Sequence, residues 1–522
     1  MKLNRRNVLQ LAGGTIAASA LLSDCGGAPY DSASGLGSST GAQLSSEGTA
    51  PKPFDVPLPL PPVLNPVRSD AANDYYEITE TVASAQIVPG RKTEIWGYNG
   101  SFPGPTLVTR RGRRAVVVHR NELPVPVVVH LHGAKTPPGD DGYPTDLVLP
   151  YGHGDMPSMH GDHHQMSGGQ ISHATRTYQY PLDQPAATLW YHDHRMDFTG
   201  PQVYKGLAGF HLHHDDDEQS LPLPKDERDI PLMICDRAFA EDGSFRYPAI
   251  DPSLQAQPGV TERYMQGVLG DTILVNGAPW PVLDVTNTRY RFRILNASNA
   301  RRYRLTLDPA PREGAAFTQI GSDAGLLGRP VSHDHIDIAQ AERFDVIVDF
   351  ASYPVGTAIT LRNEFGDGPT AQVMRFRVTR TATDDSAVPQ RLVDFEPLSR
   401  SAATVTRSFD FDQRRDGWAI NGHTFDPNRI EAQPQLGATE IWRLNTDAHH
   451  PIHLHLAHFQ VLTRNGRPPG RLEGGWKDTV DVPTGVETEI IARFTGYRGR
   501  FVFHCHNLEH EDMAMMANMQ IV

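Results

Sequence analysis

Apolar and polar positions alternate with a period of two through much of the chain. Tyr290-Arg-Phe-Arg-Ile294 alternates hydrophobic with basic residues, and residues 115–118, 125–129 and 344–348 are short runs rich in β-branched side chains punctuated by Gly or Pro. Successive side chains of an extended strand point to opposite faces, so these stretches predict buried or half-buried strands. After the N-terminal segment no long amphipathic helical pattern occurs. The expected fold class is all-β, assembled as sandwiches or barrels of short strands.

A repeated arrangement sets the domain count. Asn99-Gly100, Asn276-Gly277 and Asn421-Gly422 are each followed by an aromatic (Phe102, Trp280, Phe425), then by a strand-like run ending in Asn121, Asn296 or Asn445, at spacings of 22, 20 and 24 residues. An Asn-Gly pair suits a tight hairpin turn because both residues tolerate positive φ. Three copies in one context predict three related β domains, at about 66–225, 226–400 and 401–522.

Composition narrows the class. With 39% hydrophobic and 21% charged residues the chain reads as soluble and loop-rich, and a net charge of −13 opposes nucleic-acid binding, which needs a concentrated basic surface. Only three cysteines, Cys25, Cys235 and Cys505, occur in unrelated contexts, so no structural disulfide is predicted. Arg5-Arg6 ahead of the uncharged stretch 11–22 reads as a twin-arginine export signal over residues 1–25, placing the protein in the periplasm or outside the cell. Cys25 is a candidate lipid-attachment site, although Asp24 departs from that pattern; lipid on Cys25 is the one membrane attachment the sequence offers, and ordinary cleavage nearby is the alternative. Residues 26–65, rich in Ser, Gly, Ala and Pro, predict a flexible linker.

The 24 histidines are the unusual feature, and four segments concentrate ten of them: His130-Leu-His132, His192-Asp-His194, His450-Pro-Ile-His453-Leu-His455, and His504-Cys505-His506 with His510. On a strand, residues i and i+2 share a face, so each His-x-His aims two imidazoles at one point and turns Cys505 away from His504 and His506. The first pair begins nine residues after Asn121 and the third begins eight after Asn445, whereas the middle repeat carries Arg304-Leu-Thr-Leu307 there and no ligand pair. His450, Cys505, His510 and Met515 make two imidazoles, a thiolate and a thioether, the donor set of a blue-copper electron-transfer centre; the other eight imidazoles suit a cluster of several coppers. Zinc is the competing metal, but a structural zinc site gives no reason for a Cys-His-Met set beside eight further histidines.

At these motifs the chain resembles the multicopper oxidases, most closely the branch holding spore-coat laccase, bilirubin oxidase and phenoxazinone synthase. The likeness spans roughly residues 66–522 and includes Gly206-Leu-Ala-Gly-Phe210, residues 272–280, residues 321–327 and Gly475-Trp-Lys-Asp-Thr479. The resemblance implies three cupredoxin-like Greek-key domains and four copper ions. It assigns His450, Cys505, His510 and Met515 to the type 1 copper, His130 and His453 to type 2, and His132, His192, His194, His455, His504 and His506 to the type 3 pair. It further implies electron entry at a solvent-facing edge of His510, and proton delivery to dioxygen by Glu511 and Asp141. The implied activity is laccase-like: one-electron oxidation of phenolic or aminophenolic donors coupled to four-electron reduction of dioxygen to water.

Residues 152–173, with three Met and five His among Gly, Ser and Asp, raise a second reading, oxidation of cuprous or other metal ions with this segment recruiting copper; a non-catalytic electron-transfer or copper-storage protein is the third. Asp193, alternating away from its flanking histidines, is expected to support the site from behind. His333-Asp-His335, the His211 to His214 stretch, His449 and Cys235 are expected to be structural, and Trp476 and Asp478 are candidates for the surroundings of His510.

Overall fold

The computed structural model describes residues 39–152, 169–414 and 417–522. The export signal, Cys25 and residues 153–168 of the Met/His-rich segment lie outside the described residues. The fold is all-β, with cupredoxin-like domains as expected: six large sheets pack in three pairs.

In the first pair, one sheet carries Thr175–Tyr180, Arg114–Asn121 and Asn73–Ala85, and the other runs Gly104–Arg110, Ala208–His214, Ala187–Asp193, Val129–His132. In the last pair, Ala403–Arg414, Thr439–Thr446 and Thr488–Arg493 face Met516–Ile521, Gly499–Cys505, His450–Leu454 and Thr479–Val482. Separate apolar cores fill the three pairs, built around Tyr98 and Leu189, around Phe292 and Phe376, and around Trp442 and Phe503.

The three Asn-Gly turns are built alike. Asn99, Asn276 and Asn421 take φ of 53°, 50° and 53°, and each following Gly is also positive. Each Asn Oδ1 accepts a backbone N–H from an earlier strand of its unit, Thr79 at 2.8 Å, Met233 at 2.8 Å and Asp410 at 2.9 Å, so the repeat read from the sequence is a repeated hydrogen bond.

The expected flexible linker is corrected from residue 39 onward. Ala42–Leu44 pairs in parallel with Val268–Gly270, the Leu58 N–H donates to the Val282 carbonyl at 2.7 Å, and Val63–Leu64 joins the edge of Gly104–Arg110. Few side chains are buried there, but strand edges offer this segment backbone partners, and Leu44 and Leu58 seat themselves in neighbouring cores.

The middle sheets contribute no imidazole to the histidine constellation but clamp the other two units. Arg343 forms a bidentate ion pair with Asp478 of the last unit, one arm at 2.7 Å, and its Nε donates to the Thr188 carbonyl of the first at 3.0 Å.

Candidate metal centres

Strand register brings the imidazoles together. His130 lies directly opposite His192, and His453 directly opposite His504, across antiparallel ladders, so each pair of strands presents one histidine face. The two faces meet: the His130 ring stacks on His455 with centroids 3.8 Å apart, and the His132 ring on His453 at 3.7 Å. The cluster is therefore made jointly by the first and last units.

Three groups of converging donor atoms result: His130, His132 and His453; His132, His192 and His506; and His194, His455 and His504. In the third group the Nε2 atoms of His194 and His455 each lie 3.3 Å from His504 Nε2. The buried His130 Nε2, His453 Nε2, His132 Nδ1, His192 Nε2 and both ring nitrogens of His506 have no hydrogen-bond partner. Orphaned buried nitrogens are costly, and their accumulation at one place fits a site built to hold metal ions. Outer nitrogens fix several rings: His130 Nδ1 donates to the Asp141 carbonyl at 2.6 Å, His192 Nδ1 to the Asp193 carbonyl at 2.8 Å and His453 Nδ1 to the Asp478 carbonyl at 2.9 Å.

Cys505 faces the other way, as its alternation requires. Its Sγ lies 3.2 Å from His450 Nδ1 and 3.7 Å from His510 Nδ1, and these two nitrogens are 3.1 Å apart. Met515 is fully buried in the same core as Cys505. Burial pushes the Cys505 thiol well above its ordinary range, so a thiolate at this depth requires a cation beside it. His504 and His506, on either side of Cys505, belong to separate imidazole triads.

His510 is not open to solvent. It is fully buried, its ring stacks on Trp418 at 3.7 Å, and its Nε2–H donates to the Gln266 carbonyl at 3.2 Å.

Acids surround the cluster. Glu511 lies 3.4 Å from His194 Nδ1 and 3.2 Å from His504 Nδ1; burial alone would raise its carboxyl, but these imidazoles hold it below the usual range. Asp141 accepts from His455 Nδ1 at 2.7 Å, and burial pushes it up to about 8. Asp193 accepts the N–H groups of Val128 and Arg195, tying the strand of His192 to that of His130. Asp478, expected near His510, instead accepts from His132 Nε2 at 3.0 Å and lies 3.6 Å from His453 Nδ1, with Arg343 holding it ionised; this acid at the cluster is the residue that sequence reasoning misplaced.

The remaining candidates are structural among the described residues. His333 bonds Gln319 at 3.0 Å, and no group of three converging donors includes it or His335. His211 bonds Thr109, His449 lies 3.6 Å from Asp481, and Cys235 is a buried thiol. Trp476 sits against Phe395, and the tryptophan stacked on His510 is Trp418.

A pH dependence follows. Burial holds His130, His132, His192, His194, His450, His453, His455, His506 and His510 below the ordinary imidazole value. They stay neutral when folded while the unfolded chain takes up protons near pH 6.5, so their contribution is intact above that pH and lost below it, at up to about 1.4 kcal/mol per group per pH unit. Asp141, pushed up to about 8, Asp193, Glu342 and Glu509, to about 7, and Asp512, raised well above its ordinary value, act oppositely, costing stability as pH rises from about 4, but these five acids are outnumbered by the nine imidazoles. The urea midpoint of metal-free protein is expected to fall steeply from pH 7 to 5; a flat profile would contradict this burial.

A protein with paired β-sandwiches, a buried Cys-His-His-Met group and eight converging imidazoles is a copper protein of the cupredoxin class. The chain belongs to the multicopper oxidase family: it matches the family description "Multicopper oxidase" over residues 398–522 and over 81–153 and 158–218. It is 39% identical to a laccase of Bacillus stratosphericus, across 89% of this chain and 98% of that protein. It is 34% identical to a bilirubin oxidase of Albifimbria verrucaria, across 89% and 80%. A laccase structure from Pediococcus acidilactici superposes with a TM-score of 0.78 at 33% identity, across 92% and 95%. The protein is thus a copper-dependent, laccase-like oxidoreductase that uses dioxygen.

Proposed function

We propose that the enzyme takes single electrons from phenolic or aminophenolic donors and reduces dioxygen to water with four coppers. His450, Cys505, His510 and Met515 hold the type 1 ion, His130 and His453 the type 2 ion, and the triads His132, His192, His506 and His194, His455, His504 the type 3 pair. Bound copper supplies the one-electron redox steps that convert single-electron donors to four-electron dioxygen chemistry. The chain's own contribution is a continuous backbone from Cys505 to an imidazole of each triad, and carboxylates at Glu511 and Asp141 that hold and move protons at His194, His504 and His455.

The observation that carries this reading is the opposite facing of Cys505 and its neighbours, which puts one segment in two metal sites. Copper-loaded protein is expected to show a blue thiolate band, a near-ultraviolet cluster shoulder and oxygen uptake with 2,6-dimethoxyphenol; absence of the blue band would refute it. Arg5-Arg6 supports export to the periplasm or beyond, with Cys25 the residue at which a lipid would sit.

A further inference from the structure

Asn-Gly pairs carry a reactivity of their own. Glycine has no Cβ to obstruct its backbone nitrogen when that nitrogen attacks the preceding side-chain amide, a route by which asparagine is thermolabile. The chain holds four such pairs, Asn99-Gly100, Asn276-Gly277 and Asn421-Gly422 of the repeat and Asn465-Gly466 outside it. All four asparagines take φ between 48° and 53°, so this torsion does not separate them. Their surroundings do. Asn276 is buried, its Nδ2 donates to the Pro59 and Pro231 carbonyls at 3.0 and 2.9 Å, and the Phe102 carbonyl lies 2.5 Å from where a Cβ on Gly277 would stand. The Asn421 Nδ2 donates to Glu431 Oε1 at 3.0 Å. The Gly100 N–H donates to the Gly97 carbonyl at 3.2 Å, and the Ala83 Cβ lies 3.3 Å from the position a Cβ on Gly100 would take.

Asn465 and Gly466 form the exposed tip of a hairpin closed by two backbone bonds between Arg464 and Arg467, at 2.9 and 3.0 Å. Among the described residues the Gly466 N–H has no acceptor, and beyond its chain neighbours no atom lies within 4 Å of the space a Cβ would fill, so this peptide has room to turn toward the side chain. The Asn465 Nδ2 reaches only the Gly485 carbonyl, at 3.4 Å, while Oδ1 accepts the Glu487 N–H at 2.8 Å, a donor that steadies the negative charge arising on Oδ1 when Cγ is attacked. The structure assigns Asn465 as a site of spontaneous covalent modification by water, with the three asparagines of the repeat protected. Hydroxide takes the Gly466 N–H proton, the nitrogen bonds to Asn465 Cγ, and the Cγ–Nδ2 bond breaks with release of ammonia. Water then opens the cyclic imide at either carbonyl, leaving an aspartyl or an isoaspartyl linkage, and nothing is oxidised or reduced. Either product adds one negative charge at the hairpin tip. Asn465 lies in none of the converging donor groups, so its chemistry is independent of the copper assignment.

The test incubates copper-loaded protein in mildly alkaline, oxygen-isotope-labelled water and follows the four Asn-Gly peptides by mass spectrometry, which reads the label taken up when the imide opens. The Asn465 peptide is expected to take up label at least about 10-fold faster than the Asn99 and Asn421 peptides, and the Asn276 peptide to stay unlabelled over the same period. A parallel incubation in urea removes the surroundings and leaves the shared Asn-Gly sequence. There the four rates are expected to converge. Hydroquinone turnover of the converted protein is expected to stay within about 2-fold of the starting material, since the hairpin tip shares no partner with the donor groups. Label entering Asn99 or Asn421 as fast as Asn465 in the folded protein, or an Asn465 peptide that takes up none, would overturn the assignment. So would the same order of rates in urea, which would place the cause in the neighbouring sequence and not in the fold.

Discussion

Replacing Cys505 by serine is expected to abolish the blue band and cut oxygen uptake with any donor by at least about 10³-fold, about 4 kcal/mol of barrier. Serine is nearly isosteric, and the site is fully buried between the strands Met516–Ile521 and His450–Leu454, so the fold has little reason to change. What changes is chemistry. A hydroxyl facing the His450 and His510 nitrogens is neither a soft donor nor readily ionised, whereas in the proposed assignment the thiolate is both the type 1 ligand and the start of the covalent path to His504 and His506. The reciprocal change is His194→Ala, in the triad with His455 and His504 on the far side of that path. It is expected to keep the blue colour and lose oxygen reduction. Colour lost in both variants would mean that the two sites are not built separately.

How much of this was readable before the structure depended on how local the cause was. The facing of His130, His132, His504 and His506 follows from strand alternation alone, and the structure places them on one side with Cys505 on the other. The pairing of first and last units was legible because a repeated Asn-Gly turn made those units comparable, and that turn recurs in space down to its hydrogen bond. Non-local effects were not legible. Asp478 reaches the cluster because Arg343, 135 positions away in the middle unit, turns its carboxylate there. His510 is buried because Trp418 and Gln266, from two different units, close over it. Residues 39–65 failed as a linker because composition counts side chains, while their order comes from backbone pairing with strand edges built elsewhere.

The same distinction, between groups that make a site and groups that serve it, shapes the expectation for Glu511. Its carboxylate lies 3.4 Å from His194 and 3.2 Å from His504, two members of one triad, and is fully buried beside them. Glu511→Gln keeps the shape and a polar head but removes the carboxylate that can take up a proton and pass it on. Oxygen uptake is expected to fall about 10²- to 10³-fold, the usual worth of a positioned proton-transfer group. Anaerobic bleaching of the blue band by hydroquinone is expected to stay within about 2-fold of wild type, because Glu511 has no part in the path through Cys505. The decisive comparison is the ratio of those two rates measured on one preparation. If bleaching slows as much as oxygen uptake does, Glu511 supports the metal sites rather than supplying protons, and Asp141, bonded to His455 on the cluster's other flank and pushed up by burial to about 8, becomes the acid to test in its place.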